Sequence, residues 1–311
     1  MRIPNCLFSL VILRIFCNFV LDFNLFDMKR ALLLVLLVLG ALTTYSQKYE
    51  EIDLWPNGFY YSNDRDITEP FADSTVNYKP SIRVYFPDRE KGNGKTILCC
   101  PGGAYQFLAL GHEGYDWAPF FTDMGYTFVV LKYRMPIYNH NVPLSDVREA
   151  IRVIKENAEE WSVYRDQIGI MGSSAGGHLA STAATHLSGN ERPAFQILFY
   201  PVITFDKSFT HPDSRSSLIG MNPPEALIQY YCNEKMVTAK TPPAIIFYSD
   251  DDATVNPLNG VIYYNALKRF NIPASLHIYP SGKHGWGYGN GFKYQEDVHK
   301  ALRSWLESLE L

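Results

Sequence analysis

Gln167-Ile168-Gly169-Ile170-Met171-Gly172-Ser173-Ser174-Ala175-Gly176-Gly177 is a short apolar run that breaks into glycine and serine, and a helical pattern near 175–187 follows it. Strand, sharp turn and helix around G-x-S-x-G form a nucleophile elbow, with Ser174 at its apex. The glycines are needed because such a turn is strained and leaves no room for Cβ atoms beside the serine. The helix start behind Ser174 supplies backbone N–H groups and a positive dipole end for a developing oxyanion.

Outward from this stretch, strand-like runs recur at 82–86, 96–100, 126–133, 167–171, 195–200, 244–248 and 275–279. Several are almost continuously apolar, as strands buried on both faces are. Helical patterns near 114–124, 143–161, 175–187, 257–270 and 292–310 fall between or after them. In the second, Val147, Ile151, Ile154 and Ala158 repeat at helical spacing. Such alternation predicts an α/β protein with a mostly parallel central sheet and helices on both faces, in one domain over 47–311. The Pro-, Ser- and Asp-rich segment 203–242 reads as a long loop or partial lid over the sheet edge.

A serine nucleophile needs a histidine base and an acid that orients it, and in this architecture they follow the serine in the order acid, then histidine. Of the later histidines, His277 falls inside a strand and His299 inside the last helix. His284 stands in Ser281-Gly282-Lys283-His284-Gly285, a glycine turn directly after the last strand, and is the candidate base. The acid belongs after 244–248, where Asp250-Asp251-Asp252 offers three choices. Asp252, with Val255 three residues on, is favoured, and Asp251 is the alternative. Unused aspartates would cap the turn or bind its backbone. Pro101-Gly102-Gly103-Ala104-Tyr105, after the strand at 96–100, has the small residues of an oxyanion loop. Gly103 and Ala104, with Ala175, are the expected N–H donors.

The chain has 28 Lys and Arg against 32 Asp and Glu, a net −4, with no basic block, so nucleic acid is not the expected partner. Five cysteines in 311 residues exclude a disulfide scaffold. Cys99 and Cys100 are neighbours on a strand and point to opposite faces; with Cys232 they read as free buried thiols.

Within the first 46 residues, 31 are apolar. Met28-Lys29-Arg30 precedes the apolar run Ala31 to Leu42, and Thr44-Tyr45-Ser46 offers small residues for cleavage before Gln47. This is the layout of a secretory signal, with a run too short to span a bilayer. No cysteine follows it to carry a lipid. The expectation is that Met28 is the true start and residues 1–27 are upstream sequence, the alternative being a membrane anchor. The first 46 residues carry four basic and two acidic groups, so the exported chain would have −4 − 2, or −6.

These residues resemble bacterial α/β-hydrolase esterases related to acetylxylan esterases and the hormone-sensitive-lipase group. The resemblance runs from about residue 80 to the C-terminus. It rests on Pro101–Tyr105, His112-Glu113-Gly114, Leu131-Lys132-Tyr133-Arg134-Met135-Pro136, Pro143 with Asp146 and Ala150, and the nucleophile motif ending in Gly177-His178. Pro242-Pro243 and Gly282-Lys283-His284-Gly285-Trp286-Gly287 complete it. The lipase pattern H-G-G-G stands here as Pro101-Gly102-Gly103-Ala104; loss of the histidine is typical of the acetylxylan-esterase-like branch, and Ala104 in place of the last glycine is a departure. About 35 residues separate Gln47 from the first strand at 82, too few for the large helical cap of that lipase group.

The resemblance implies the α/β-hydrolase fold, a serine esterase with no cofactor or metal, and a small acyl group, acetyl foremost, on a plant polysaccharide sugar. His112, Glu113, Asp146 and His178 are then structural hydrogen-bonding groups. Tyr105, Phe107, Trp286 and Tyr288 flank the site, and Tyr105 and Trp286 are the candidates for a sugar platform. A general short-chain carboxylesterase or a feruloyl esterase would share these residues with a different pocket. A peptidase of the prolyl-oligopeptidase type lacks room here for its propeller, and a non-catalytic binding protein would show a broken triad. Oligomeric state is not written in the sequence.

Overall fold

The computed structural model describes residues 48–65, 79–137, 139–289 and 291–310. The expected leader and signal, 1–46, lie outside the described residues.

Eight strands form one sheet: β1 Tyr49–Asp53, β2 Ser81–Tyr85, β3 Thr96–Cys100, β4 Thr127–Lys132, β5 Ile168–Ser173, β6 Gln196–Phe199, β7 Ala244–Ser249 and β8 Ala274–Tyr279. Their spatial order is β1-β2-β4-β3-β5-β6-β7-β8. β1–β2 and β2–β4 are antiparallel, and the remaining pairs are parallel. All seven expected strands are present. Every residue of β3, β4, β5, β6 and β7 is buried, which is why those segments read as unbroken apolar runs.

Tyr49–Asp53 forms an eighth strand that its composition does not announce. It is an edge strand, largely exposed, that pairs antiparallel with β2 over its whole length, and Glu51 adds side-chain contacts: it accepts from Arg83 Nη2 at 2.9 Å and from Ser81 Oγ at 3.1 Å. Charged edges of this kind deter pairing with other chains, and they carry no hydrophobic alternation to read.

The major helices are α1 Ala118–Asp123, α2 Asn141–Glu156, α3 Ser174–His186, α4 Pro212–Ile219, α5 Glu225–Tyr230, α6 Leu258–Arg269 and α7 Gln295–Glu307. Val147, Ile151 and Ile154 are buried on the inner face of α2, as their spacing requires. Residues 203–242 are more regular than a loop, since they contain α4, α5 and a single 3₁₀ turn at Asn233–Lys235.

From β3 the chain runs to β4 on one side and then returns to place β5 on the other. Ligands bind at such a reversal, outside the carboxyl ends of the two strands. Cys100 pairs in register with Gly172, so the loops leaving β3 and β5 emerge side by side.

One buried ion pair fixes the frame beside them. Arg134, just past β4, and Asp146, on α2, are both 0% exposed and meet at 2.6 Å between Nη2 and Oδ1. Asp146 also accepts from the Arg134 amide at 2.8 Å and from Trp55 Nε1 at 2.7 Å, and Arg134 Nη1 donates to the Tyr61 carbonyl at 2.8 Å. Removing one partner strands a charge without solvent, which costs about 3–5 kcal/mol. Asp146→Ala should therefore lower the melting temperature by roughly 10 °C, given ~2–4 °C per kcal/mol for a chain of this size. A calorimetric shift under about 3 °C would show that the pair contributes far less than its burial implies.

Candidate active site

Ser174 opens α3 directly after β5 with φ of 53°, the left-handed region that costs a non-glycine residue roughly 1–2 kcal/mol. The flanking glycines make this turn sterically feasible. A Cβ on Gly172 would collide with the Gly176 carbonyl, and one on Gly176 with the carbonyls of Cys100 and Pro101. The elbow is thereby pressed against the β3 loop, and the Ser174 side chain faces the mouth of the sheet.

Register brings the other two groups to it. β7 and β8 end in step, Ser249 opposite Tyr279, so the Asp and His loops leave the sheet together. His284 Nε2 lies 2.9 Å from Ser174 Oγ, and Nδ1 lies 2.7 Å from Asp252 Oδ2. A carboxylate only accepts, so Nδ1 carries the proton and Nε2 is left to accept from the serine. Asp252 is buried, and its Oδ1 accepts the N–H groups of Thr254 and Val255, each at 2.9 Å. Asp251 is exposed and points elsewhere: its Oδ1 accepts the Lys283 N–H at 2.8 Å and so holds the histidine loop. Of the two alternatives, Asp252 is the one in contact with His284.

The β3 loop coils left-handed, with positive φ at Gly103 (133°), Ala104 (56°) and Tyr105 (58°). Gln106 and Phe107 N–H close it onto the Gly103 carbonyl at 2.8 and 3.1 Å. The Gly102 N–H is occupied by Glu113 Oε2 at 2.9 Å. Among the described residues, the amides of Gly103 and Ala104 have no protein acceptor. Ala175 is the second residue of α3, where backbone N–H groups have no partner within the helix. Gly103, Ala104 and Ala175, the expected donors, are thus among the amides of the described residues left without a protein acceptor near Ser174, as is Tyr105 on the same loop.

The aromatic expectations need correction. Tyr105 is 2% exposed, and its hydroxyl bonds His178 Nδ1 at 2.9 Å. Trp286 is 3% exposed, stacked on Phe292 at 4.1 Å between centroids, with Nε1 donating to Ser249 Oγ at 3.1 Å. Both rings are packed in the interior, where neither presents a face to a sugar. Phe107, 53% exposed on the oxyanion-type loop, is the aromatic that does reach solvent there.

Glu113, Asp146 and His178 spend their polar atoms on protein partners. His178 Nε2 donates to the Tyr231 carbonyl at 3.0 Å, and burial drives its pKa down to about 3, which keeps the ring neutral. Among the described residues, no three His, Cys, Asp or Glu side chains gather as a metal would require. Cys99, Cys100 and Cys232 are buried free thiols, and burial pushes the first two up, away from the reactive thiolate.

Helix α4 borders the site. Gln106 Nε2 donates to Ser217 Oγ at 3.1 Å, tying the β3 loop to α4. His211 at its start bonds Ser214 Oγ at 2.8 Å; burial lowers its pKa, and it lies within electrostatic reach of His284 and Asp252. His211 is not marked by a motif in the sequence.

Residues 82–267 match the BD-FAE family. The chain belongs to that family. An acetylxylan esterase of Xylanibacter ruminicola is 37% identical over 224 residues, 71% of this chain and 47% of that protein. Endo-1,4-beta-xylanase B of Butyrivibrio fibrisolvens is 34% identical over 209 residues, 62% of this chain and 33% of the relative. The BD-FAE chain thus spans less than half the length of either relative. Among solved structures, an acetyl ester-xyloside bifunctional hydrolase from Caldicellulosiruptor lactoaceticus superposes with a TM-score of 0.73 at 32% identity, covering 83% of this chain and 96% of that one. The fold is that of the α/β-hydrolases.

Proposed function

We propose that this BD-FAE chain is an exported serine esterase that removes small acyl groups, acetyl foremost, from xylan-type polysaccharide. The observation that carries the chemistry is the continuous Ser174–His284–Asp252 contact, 2.9 and 2.7 Å, at an elbow flanked by unpaired amides. His284 takes the Ser174 proton as Oγ attacks the ester carbonyl, and Asp252 steadies the imidazolium. The amides of Gly103, Ala104 and Ala175 receive the oxyanion, the alcohol leaves with the proton from His284, and water hydrolyses the acyl-enzyme with His284 again as base. None of these steps uses a metal or cofactor. The acetyl-xylan assignment takes its support from the names of the relatives, two of which are xylan-acting by name. Export takes its support from the leader alone.

The test compares kcat/KM on acetylated xylo-oligosaccharides, feruloylated arabinose and simple aryl acetates, with mass-spectrometric mapping of the residue labelled by a phosphonate ester. Labelling at Ser174 and highest efficiency on acetylated xylo-oligosaccharides are expected. Higher efficiency on aryl acetates than on every sugar ester would replace the polysaccharide substrate with a general one. Labelling at another residue would remove the mechanism.

A further inference from the structure

Building on the esterase reading, we infer that Glu113 is a positioning residue that locks the oxyanion loop and the base loop to one another through its two carboxylate oxygens. Glu113 is 3% exposed, behind the elbow. Oε2 accepts the Gly102 N–H at 2.9 Å, one residue before the expected oxyanion donors. Oε1 accepts the Tyr200 hydroxyl at 2.8 Å, and that hydroxyl accepts the Gly287 N–H at 2.9 Å, three residues beyond His284. All the donors in this chain point toward the carboxylate, so only a group that accepts at both oxygens completes it.

Tyr200 has a second contact with the same loop. Its ring lies edge-on to the His284 imidazole, 4.7 Å between centroids. It follows directly after β6, whose Phe199 is paired with Ser173, and it takes φ of 37°, a region unfavourable for any residue but glycine. The Gly102 end is equally confined. A Cβ there would strike Glu113 Oε2, and the Ser173 carbonyl would be only 2.7 Å away. Cys99 Sγ donates to the Glu113 carbonyl at 3.3 Å, anchoring the acidic residue's own backbone to β3. Gly102 and Gly287, on loops that leave β3 and β8, are thereby fixed relative to Ser174 by one side chain.

Glu113 touches neither substrate nor Ser174, so its action is geometric. The bonds it orders are the oxyanion amides and the imidazole, which matter most at the tetrahedral stage. Loss should therefore lower kcat and leave KM nearly unchanged. Displacements near 1 Å at such groups cost up to about 10²-fold.

Near-isosteric variants separate the arms. In Glu113→Gln the amide oxygen still accepts from Gly102, while the NH₂ group faces the Tyr200 hydroxyl, which can no longer donate at that position. Tyr200→Phe breaks the same arm from the other side and keeps the ring over His284. With p-nitrophenyl acetate, each should lower kcat about 10-fold with KM within ~2-fold, and the double variant should fall no lower than Tyr200→Phe, which already cuts the whole arm from Glu113 to Gly287. Glu113→Ala, which cuts both arms, should lower kcat roughly 100-fold, so that Gln recovers most of the loss. If the alanine variant fails to fold, the Gln and Phe pair carries the test. Singles within ~2-fold of wild type, losses that multiply in the double variant, or an effect on KM alone would each overturn the role. An active wild type and an inactive Ser174→Ala with an unaffected Glu113→Gln would overturn this inference and leave the esterase reading standing.

Discussion

Ser174→Ala should reduce kcat for acetyl ester hydrolysis by about 10⁴- to 10⁶-fold while KM and the melting curve stay close to wild type, since a triad that loses its nucleophile retains only binding and the oxyanion site. Two features make this the largest expected effect. Among the contacts around His284, Ser174 Oγ is the oxygen that Nε2 meets, at 2.9 Å, and the imidazole is already held in the required tautomer by Asp252. Alanine keeps the backbone at φ of 53° with the same Cβ, so the elbow gains and loses little strain. The side chain is almost wholly buried, yet what it gives up is one hydrogen bond, worth about 1 kcal/mol net. His284→Ala should fall to a similar level, and the double variant no lower, because the groups act as a unit. A Ser174→Ala protein that hydrolyses p-nitrophenyl acetate at the wild-type rate would remove the acyl-enzyme route altogether.

The elbow was legible because three demands coincide in one stretch: an apolar strand, residues without side-chain bulk, and a helix start. Strands β3 to β7 were legible because double-sided burial leaves no alternation to misread. Local reading fails where a residue's role is set by partners distant in the chain. Tyr49–Asp53 pairs with β2 as an exposed edge strand, with Glu51 bonded to Arg83, 32 residues away. Tyr105 and Trp286 sit next to site residues in sequence, but their backbone directions turn the rings inward, onto His178 and Phe292. Proximity along the chain to His284 says nothing about which way a ring points. Tyr200 and Glu113 are 87 positions apart, and their bond exists only once the sheet order is known. Helices α4 and α5 have few inward apolar residues, which is why 203–242 reads as irregular.

The aspartate run is the place where sequence narrows a choice and geometry completes it, and the two candidates predict different losses. Asp252→Asn should lower kcat by about 10³- to 10⁴-fold. Its Oδ1 is bound by the Thr254 and Val255 amides, so an asparagine would place its carbonyl oxygen there and turn its NH₂ group toward His284 Nδ1. A donor facing Nδ1 forces that nitrogen to accept, which moves the ring proton to Nε2 and removes the base for Ser174. The fold should hold, because shape and most hydrogen bonds survive. Asp251→Asn should cost less than about 5-fold, since its task is to accept the Lys283 N–H at 2.8 Å in solvent, and an amide oxygen does this nearly as well as a carboxylate oxygen. Steady-state kinetics on both variants separate the roles. Were Asp251→Asn the more damaging of the two, the acid that orients His284 in the working enzyme would be Asp251, and the loop after β7 would have to rearrange to bring it there.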